Sequence, residues 1–314
     1  MARNRGYSTI AKREKRVGDR LPYASHADAN TIRLRSGALM QTILIEGFPF
    51  ETAGTDELNY RLAVRETMLR GVGGSRFALY HHVVRRRASA TLAALFKDPL
   101  CAHLDRFWQG RMSSRNLFVN DLFLTIVSRP SQGRIGLVER FARAGRPRSG
   151  HETRDIRALD GVRESLLASL APYRPRALSL YDSEGGARSE LVEFLSLILN
   201  GELRPALAPK GDIGHYLPYR RISFGVEAFE LAGGAEESAR LGAILSLKEY
   251  PSTTTPGIID NLLRLPCEMV ITESFAFAER QIAQERIDLA ARRLRAADDD
   301  TVTLRRGLLE AKDN

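Results

Sequence analysis

The sequence predicts an α+β fold of two lobes, each a mixed or antiparallel sheet covered by helices, with a long helix at the C-terminal end. Runs of aromatic and β-branched residues, typical of strands, alternate with segments whose apolar residues recur at helical spacing. A stretch rich in Gly, Pro and Arg between Arg129 and Glu152 separates two such series of elements. The order of elements in each series is consistent with a split βαβ sheet.

Five segments follow from these patterns. They are a flexible basic arm (1–22), an N-terminal α/β lobe (23–128), a basic linker region (129–155), a second α/β lobe (156–275) and a C-terminal helical segment (276–314). The arm is rich in Lys and Arg and has few large apolar residues, so nothing in it predicts independent folding. The linker is expected to be a mobile connection that contains one short helix at most.

In the N-terminal lobe, β-rich runs at 31–34 and 39–45 flank Ser36 and Gly37, a pair typical of a tight hairpin. The next helix is expected to begin at Thr55, whose hydroxyl can cap it, and to stop at Gly71. The other elements predicted in this lobe are a strand at 75–86, a helix near 99–115 and a strand at 117–127.

In the second lobe, a helix is predicted over 189–200, where Gly201 terminates an apolar segment. The other predicted elements are a helix near 158–170, strands at 176–181, 221–229 and 241–249, a helix at 256–263 and a strand at 268–275. In the last segment, Ile282, Leu289 and Leu294 follow helical spacing, and the pattern continues to Asn314. Because nothing closes this helix, we expect the natural chain to continue beyond it.

The composition favours a globular chain with anionic partners. The net charge is +9, the isoelectric point is near 9.8 and 43% of the residues are hydrophobic. Nucleic acid, anionic lipid headgroups and acidic protein faces all fit this charge, but an arginine bias also arises from a G+C-rich genome. No run of about 18 apolar residues predicts a membrane span. The two cysteines form no CxxC pair, which favours a reducing cytosol.

No catalytic, cofactor-binding or metal-ligating residue is predicted. The glycine-rich segment 71–76 follows a predicted helix and precedes a strand, the reverse of the order that phosphate binding requires. No lysine stands in a GxxxxGK[ST] motif. His81 and His82 alternate across a strand, so packing explains them better than a metal site. Trp108, Phe107, Phe118 and Phe123 are likewise predicted to be core residues rather than an interaction face.

Two basic clusters are the candidate contacts with a partner or a membrane. Their members are Arg13, Lys15, Arg16, Arg85, Arg86 and Arg87. The first three lie in the arm and the last three end the strand predicted at 75–86. The alternative is that the arm only solubilises the chain and that the strand-end arginines are solvated charges.

Several stretches resemble the N-terminal domain of the CagE/TrbE/VirB family, the conjugation-type ATPases of bacterial type IV secretion systems. The stretches are REKRVGDRLPYASHADANTIRLRSGALMQTI (13–43), GFPFETAGTDELNYR (47–61), SRFALYHHVVRRR (75–87), LFVNDLFLTIVSRP (117–130), GHYLPYRRISFG (214–225), LKEYPSTTTPGIIDNLL (247–263) and ESFAFAERQIAQERIDLA (273–290). The resemblance covers nearly the whole chain.

The resemblance implies a docking and assembly domain. In this family a RecA-like domain with both Walker motifs follows, so ATP and Mg²⁺ are expected there and not here. The resemblance implies contact with inner-membrane subunits of the secretion channel, self-association in a hexamer, and a bacterial cytoplasmic location at the inner membrane. The parent protein is expected to energise pilus assembly and substrate export.

The rival hypothesis is a nucleic-acid-binding module that contacts substrate DNA during transfer. The sequence favours docking over this rival because no recognition helix, zinc finger or set of base-stacking aromatic residues is legible. Basic charge alone does not specify DNA.

Overall fold

The structure is a computed structural model. It describes residues 16–48, 52–72, 76–88, 95–113, 117–128, 148–233, 239–247, 253, 261–277, 284, 285, 287–290 and 292. Helices and antiparallel sheets combine in it, which confirms the α+β class. In the predicted C-terminal helix, residues 284, 285, 287–290 and 292 are helical, and the rest of 278–314 lies outside the described residues.

The elements follow the sequence prediction in outline. The helices are α1 (Val17–Arg20), α2 (Thr55–Val72), α3 (Pro99–Ser113), α4 (Arg148–Ser169), α5 (Glu190–Asn200) and α6 (Ile213–Tyr216). The strands are β1 (Tyr23–His26), β2 (Ile32–Leu34), β3 (Leu39–Ile45), β4 (Phe77–Ala88), β5 (Leu117–Ser128), β6 (Pro175–Ala177), β7 (Leu180–Ser183), β8 (Gly186–Ser189), β9 (Ile222–Phe224), β10 (Phe229–Leu231), β11 (Arg240–Gly242) and β12 (Met269–Ala276). Short 3-10 turns lie at Ala171–Tyr173 and Leu262–Arg264.

Several boundaries differ from the prediction. Helix α2 passes through Gly71 to Val72, so that glycine does not stop it. The strand predicted at 221–229 is divided between β9 and β10. Of the strand predicted at 241–249, residues 241 and 242 belong to β11, residues 243–247 are not in a strand, and 248 and 249 lie outside the described residues. Most of the helix predicted at 256–263 lies outside the described residues.

One large antiparallel sheet organises the fold, in the order β1-β2-β3-β5-β4-β12. Strand β6 also pairs with β3, at Ile43–Ile45, beyond the point where β2 ends its pairing at Met40. Because β6 and β12 come from the predicted second lobe, this sheet crosses the predicted boundary, which differs from the expectation of one sheet in each lobe. Without β6 and β12, backbone N–H and C=O groups along one edge of β3 and of β4 would lack hydrogen-bond partners, and these two strands supply them.

The end of the predicted linker is also part of this body. Helix α4 begins at Arg148 and therefore crosses the boundary predicted at residue 155. The Arg33 guanidinium of β2 donates a hydrogen bond to Glu152 at 2.9 Å from Nε, and Gln41 of β3 donates one to Asp160 at 2.8 Å. The helix is thus held against the sheet along its length.

Helices cover both faces of the main sheet. On one face, α5 packs Phe194 and Leu191 against Phe123 and Val84. On the other face, Leu159 and Leu166 of α4, joined by Val72 of α2, pack against Ile43, Leu79 and Ile126. Five residues of β3 in succession are therefore buried, which explains why its sequence is apolar or hydrogen-bonded rather than alternating.

Helix α5 has both of its ends set by local sequence. Ser189 Oγ accepts a hydrogen bond from the Val192 backbone N–H at 3.2 Å, which caps the first turn. Gly201 adopts the left-handed conformation, with φ at 70°, and donates its N–H to the Leu197 carbonyl at 2.9 Å. The predicted limits of this helix are confirmed to within one residue.

Residues 16–22 belong to the folded body, although they fall in the predicted flexible arm. Helix α1 packs against α6, and Gly18 is buried in that contact. A Cβ at Gly18 would lie 2.9 Å from the Gly214 carbonyl oxygen and from the His215 Cα atom. The close approach of two backbones therefore requires glycine at this position.

A buried histidine links β4, β12 and α5. His82 Nδ1 lies 3.0 Å from Thr272 Oγ1, and its ring packs edge-on against Phe194 with centroids 5.4 Å apart. Burial, and to a smaller extent the charge of His81, lower the pKa of His82 to about 4. The imidazole is therefore neutral at physiological pH, as its packing role requires.

This burial predicts a loss of stability in mild acid. Below about pH 6.5 the unfolded chain binds a proton at residue 82 that the folded chain excludes until about pH 4, so the free energy of unfolding falls across this window. We expect His82 to account for about 3 kcal/mol of that fall. Urea unfolding across the window should show a weaker pH dependence in His82→Gln than in the exposed-site control His103→Gln. Equal pH dependence in the two variants would contradict the assignment.

Candidate docking surface

The predicted contact residues lie at opposite edges of the main sheet or outside the described residues. Arg13 and Lys15 are among the latter. Arg16 is exposed immediately before α1, whose partner α6 packs against the edge strand β1. Arg85, Arg86 and Arg87 end β4, next to the other edge strand, β12. The structure therefore does not unite the two predicted clusters into one surface.

Strands β4 and β5 project beyond the rest of the sheet. The pairing of β12 with β4 ends at Met269 opposite Arg85, whereas β4 continues to pair with β5 as far as Ala88 opposite Leu117. We call the residues past that point, Arg86–Ala88 and Leu117–Val119, the β4–β5 extension. Neither strand is buried in this part.

Arg85 stands where the extension begins, and its side chain is held by neighbours. Its Nη1 donates to Asn120 Oδ1 at 3.1 Å and its Nε to the Leu265 carbonyl at 3.3 Å. The guanidinium also lies over the Phe118 ring, 4.5 Å from the centroid. These contacts fix the arginine on the strand surface through hydrogen bonds and a cation–π interaction.

Arg86 is neutralised within the chain. Its Nε lies 2.5 Å from Asp121 Oδ2, and its Nη2 donates to Asp121 Oδ1 at 3.4 Å. The pair joins β4 to β5 across the sheet in two-pronged geometry. The Arg86 side chain therefore links β4 to β5, which differs from the solvated charge of the alternative.

Arg87 differs from its two neighbours. Its backbone N–H donates to Glu268 Oε1 at 3.0 Å, which takes the place of a further β12 residue on this edge. Its side chain is exposed, and within the described ranges its guanidinium has no hydrogen bond or ion pair. Of the three predicted strand-end arginines, this one has its backbone held by Glu268 and an exposed guanidinium without an internal partner among the described residues.

Helix α3 connects the two strands of the extension and carries a feature that the sequence prediction missed. Phe107 and Trp108 are each 60% exposed, although both were predicted to be core residues. Phe123, predicted with them, is 7% exposed and does belong to the core. The signal available in the sequence was the spacing of Leu100, Leu104, Phe107 and Trp108, which places them on one helix face.

Within the described ranges, no helix is both long enough and apolar enough to cross a bilayer.

Family comparisons match two parts of the chain. Residues 30–135 match the N-terminal domain of the type IV secretion system ATPase VirB4/TrbE. Residues 176–313 match the CagE, TrbE, VirB family, described as a component of the type IV transporter system. The first match contains β2 to β5 and α3, and the second contains α5 and β12. The two matches thus include both predicted lobes.

Curated relatives extend over most of the chain. The type IV secretion system protein virB4 of Bartonella quintana (strain Toulouse) is 32% identical over 280 residues, which is 88% of this chain and 36% of the relative. Protein virB4 of Agrobacterium fabrum is 28% identical over 294 residues, or 93% of this chain and 37% of the relative. PtlC of Bordetella pertussis is 28% identical, with 88% and 35% covered. The chain spans about a third of the length of these relatives.

The different roles of Arg86 and Arg87 predict different effects of charge reversal. In Arg86→Glu a second carboxylate faces Asp121, so we expect the free energy of unfolding to fall by about 1–2 kcal/mol. Arg87→Glu should remain within about 0.5 kcal/mol of the parent chain, because its exposed side chain has no hydrogen bond or ion pair to lose within the described residues. Urea unfolding of both variants measures the difference, and equal destabilisation would contradict the assignment.

Proposed function

The chain belongs to the CagE/TrbE/VirB family of type IV secretion system components, and we propose that it is the docking and assembly domain of a secretion ATPase. In this proposal it contacts inner-membrane subunits of the channel from the cytoplasmic side. ATP and Mg²⁺ bind to a part of the parent protein outside this chain. The parent protein then energises pilus assembly and substrate export. The match of residues 30–135 to an N-terminal domain supports this division of labour.

The observation that carries the docking proposal is the exposed guanidinium of Arg87, which has no hydrogen bond or ion pair within the described residues. Glu268 holds the backbone N–H of Arg87, while the side chains of Arg85 and Arg86 bind groups of the protein itself. An exposed cation at a strand end suits a charge-assisted contact with a carboxylate. We propose that the carboxylate belongs to a cytoplasmic segment of an inner-membrane subunit.

The assembly half of the proposal is supported by a second surface, around the small sheet β9–β10–β11. Arg220, which is 8% exposed, anchors this sheet by donating to Glu202 at 2.7 Å and to the Ala232 carbonyl at 3.3 Å. Large apolar side chains nearby are exposed, namely Phe224, Val226, Leu241, Ile244, Leu245 and Leu247. Exposed apolar patches of this kind mark interfaces between proteins, and self-association would cover this one.

Co-purification tests the docking proposal. The chain is expressed with the short inner-membrane subunit of its secretion system, extracted in detergent and captured. We expect a stable complex with the intact chain and about a tenfold loss of retained subunit with Arg87→Glu, since charge reversal replaces attraction by repulsion. Arg154→Glu, which makes the same charge change at an exposed position of α4, is the matched control and should keep the complex.

Three results would contradict the proposal or its assignment. Equal binding by the Arg87 and Arg154 variants would remove Arg87 from the interface. If the intact chain formed no complex, the chain would not suffice for docking. Retention of DNA instead of the subunit, with affinity falling steeply as salt rises, would favour the nucleic-acid-binding alternative.

A further inference from the structure

We propose that α3 is an interfacial helix that lays its outward apolar face on an anionic lipid bilayer. We call Leu100, Leu104, Phe107 and Trp108 the α3 stripe. This lipid contact goes beyond docking to a protein subunit, and it does not depend on that proposal.

The first observation is the orientation of the helix. The side chains of the α3 stripe are 66%, 51%, 60% and 60% exposed in chain order. The opposite side of the helix is less exposed: Ala102, Asp105 and Gln109 are half-buried there. Gln109 donates a hydrogen bond to Asp105 at 2.6 Å. A surface helix of a globular protein normally turns its apolar face toward the core. In α3 the large apolar residues point outward instead.

The second observation is that the body of the protein does not cover the stripe. Within the described ranges, α3 makes no extensive packing contact with another helix or strand. In the sequence it lies between β4 and β5. An exposed row of Leu, Phe and Trp side chains suits a flat apolar–aqueous boundary, where Trp is favoured for its amphipathic ring.

Charge decides between a bilayer and a purely apolar partner. Exposed cations accompany the stripe at its two ends, Lys97 just before the helix and Arg111 one turn after Trp108. The acids of the segment are engaged by the helix itself, since Asp98 accepts the Leu100 backbone N–H at 2.7 Å and Asp105 accepts Gln109. Apolar and aromatic residues on one face with Arg and Lys beside them are the pattern of helices that lie on anionic membranes.

The chain supplies its own probe for this contact. Trp108 lies in the stripe and is the single tryptophan of the sequence, so intrinsic fluorescence reports directly on it. The purified chain is titrated with vesicles of equal parts phosphatidylcholine and phosphatidylglycerol, and with vesicles of phosphatidylcholine alone. We expect binding and a blue shift of the emission with the anionic vesicles. Brominated lipid in the same vesicles should quench the emission.

Two variants of matched exposure test the stripe. Leu104→Glu should reduce binding to the anionic vesicles more than about tenfold, because a side chain that enters the bilayer in this proposal becomes a negative charge. Leu203 is also 51% exposed but lies outside α3, so Leu203→Glu should leave binding unchanged. Lys97→Gln and Arg111→Gln should each weaken binding about fivefold. Circular dichroism of every variant verifies that the fold is retained.

The proposal is overturned if Trp108 shows no shift and no quenching with anionic vesicles, or if Leu104→Glu and Leu203→Glu bind alike. It is also overturned in favour of self-association if the emission shifts with protein concentration in the absence of lipid and Leu104→Glu abolishes that shift. Neither result affects co-purification with the membrane subunit through Arg87, so failure of the lipid proposal is distinguishable from failure of the docking proposal.

Discussion

The antiparallel pairing of β4 with β5 aligns Phe77 with Ser128 at one end and Ala88 with Leu117 at the other. This ladder is longer than the layer of helices that covers it. Its inner half lies between α5 and α4 and supplies Leu79, Phe123 and Ile126 to the core. Within the described residues no helix packs extensively on its outer half, whose side chains are half-buried or exposed. The position of α3 and of the strand-end arginines follows from this mismatch in length.

Charge within the extension is distributed by the same geometry. Cross-strand neighbours on β5 bind the side chains of Arg85 and Arg86, whereas Arg87 lies two residues past the last pairing of β12 and donates its backbone N–H to Glu268. Within the described residues its guanidinium has no hydrogen bond or ion pair. The number of basic residues is therefore a poor guide to binding by itself, because ion pairs such as Arg86–Asp121 neutralise some of them within the fold.

In and beside the inner half of the ladder, by contrast, polar side chains are buried and therefore need hydrogen-bond partners within the protein. Thr42 and Thr125 lie 3.0 Å apart through their hydroxyls, and His82 meets Thr272. Burial keeps His82 neutral, which makes the stability of the fold depend on pH. In the docking proposal, the buried inner half of the ladder supports the exposed extension that would meet a partner.

The sequence by itself determined the elements whose limits depend on neighbouring residues: the hairpin at Ser36 and Gly37, helix α5 between Ser189 and Gly201, and the α+β class. It also identified the family. Only the tertiary structure decided that β6 and β12 join the main sheet, that α4 starts at Arg148 and that the α3 stripe faces outward. Caps and turns are formed by residues close in sequence, whereas strand partners and the facing of an amphipathic helix depend on surfaces assembled from distant segments.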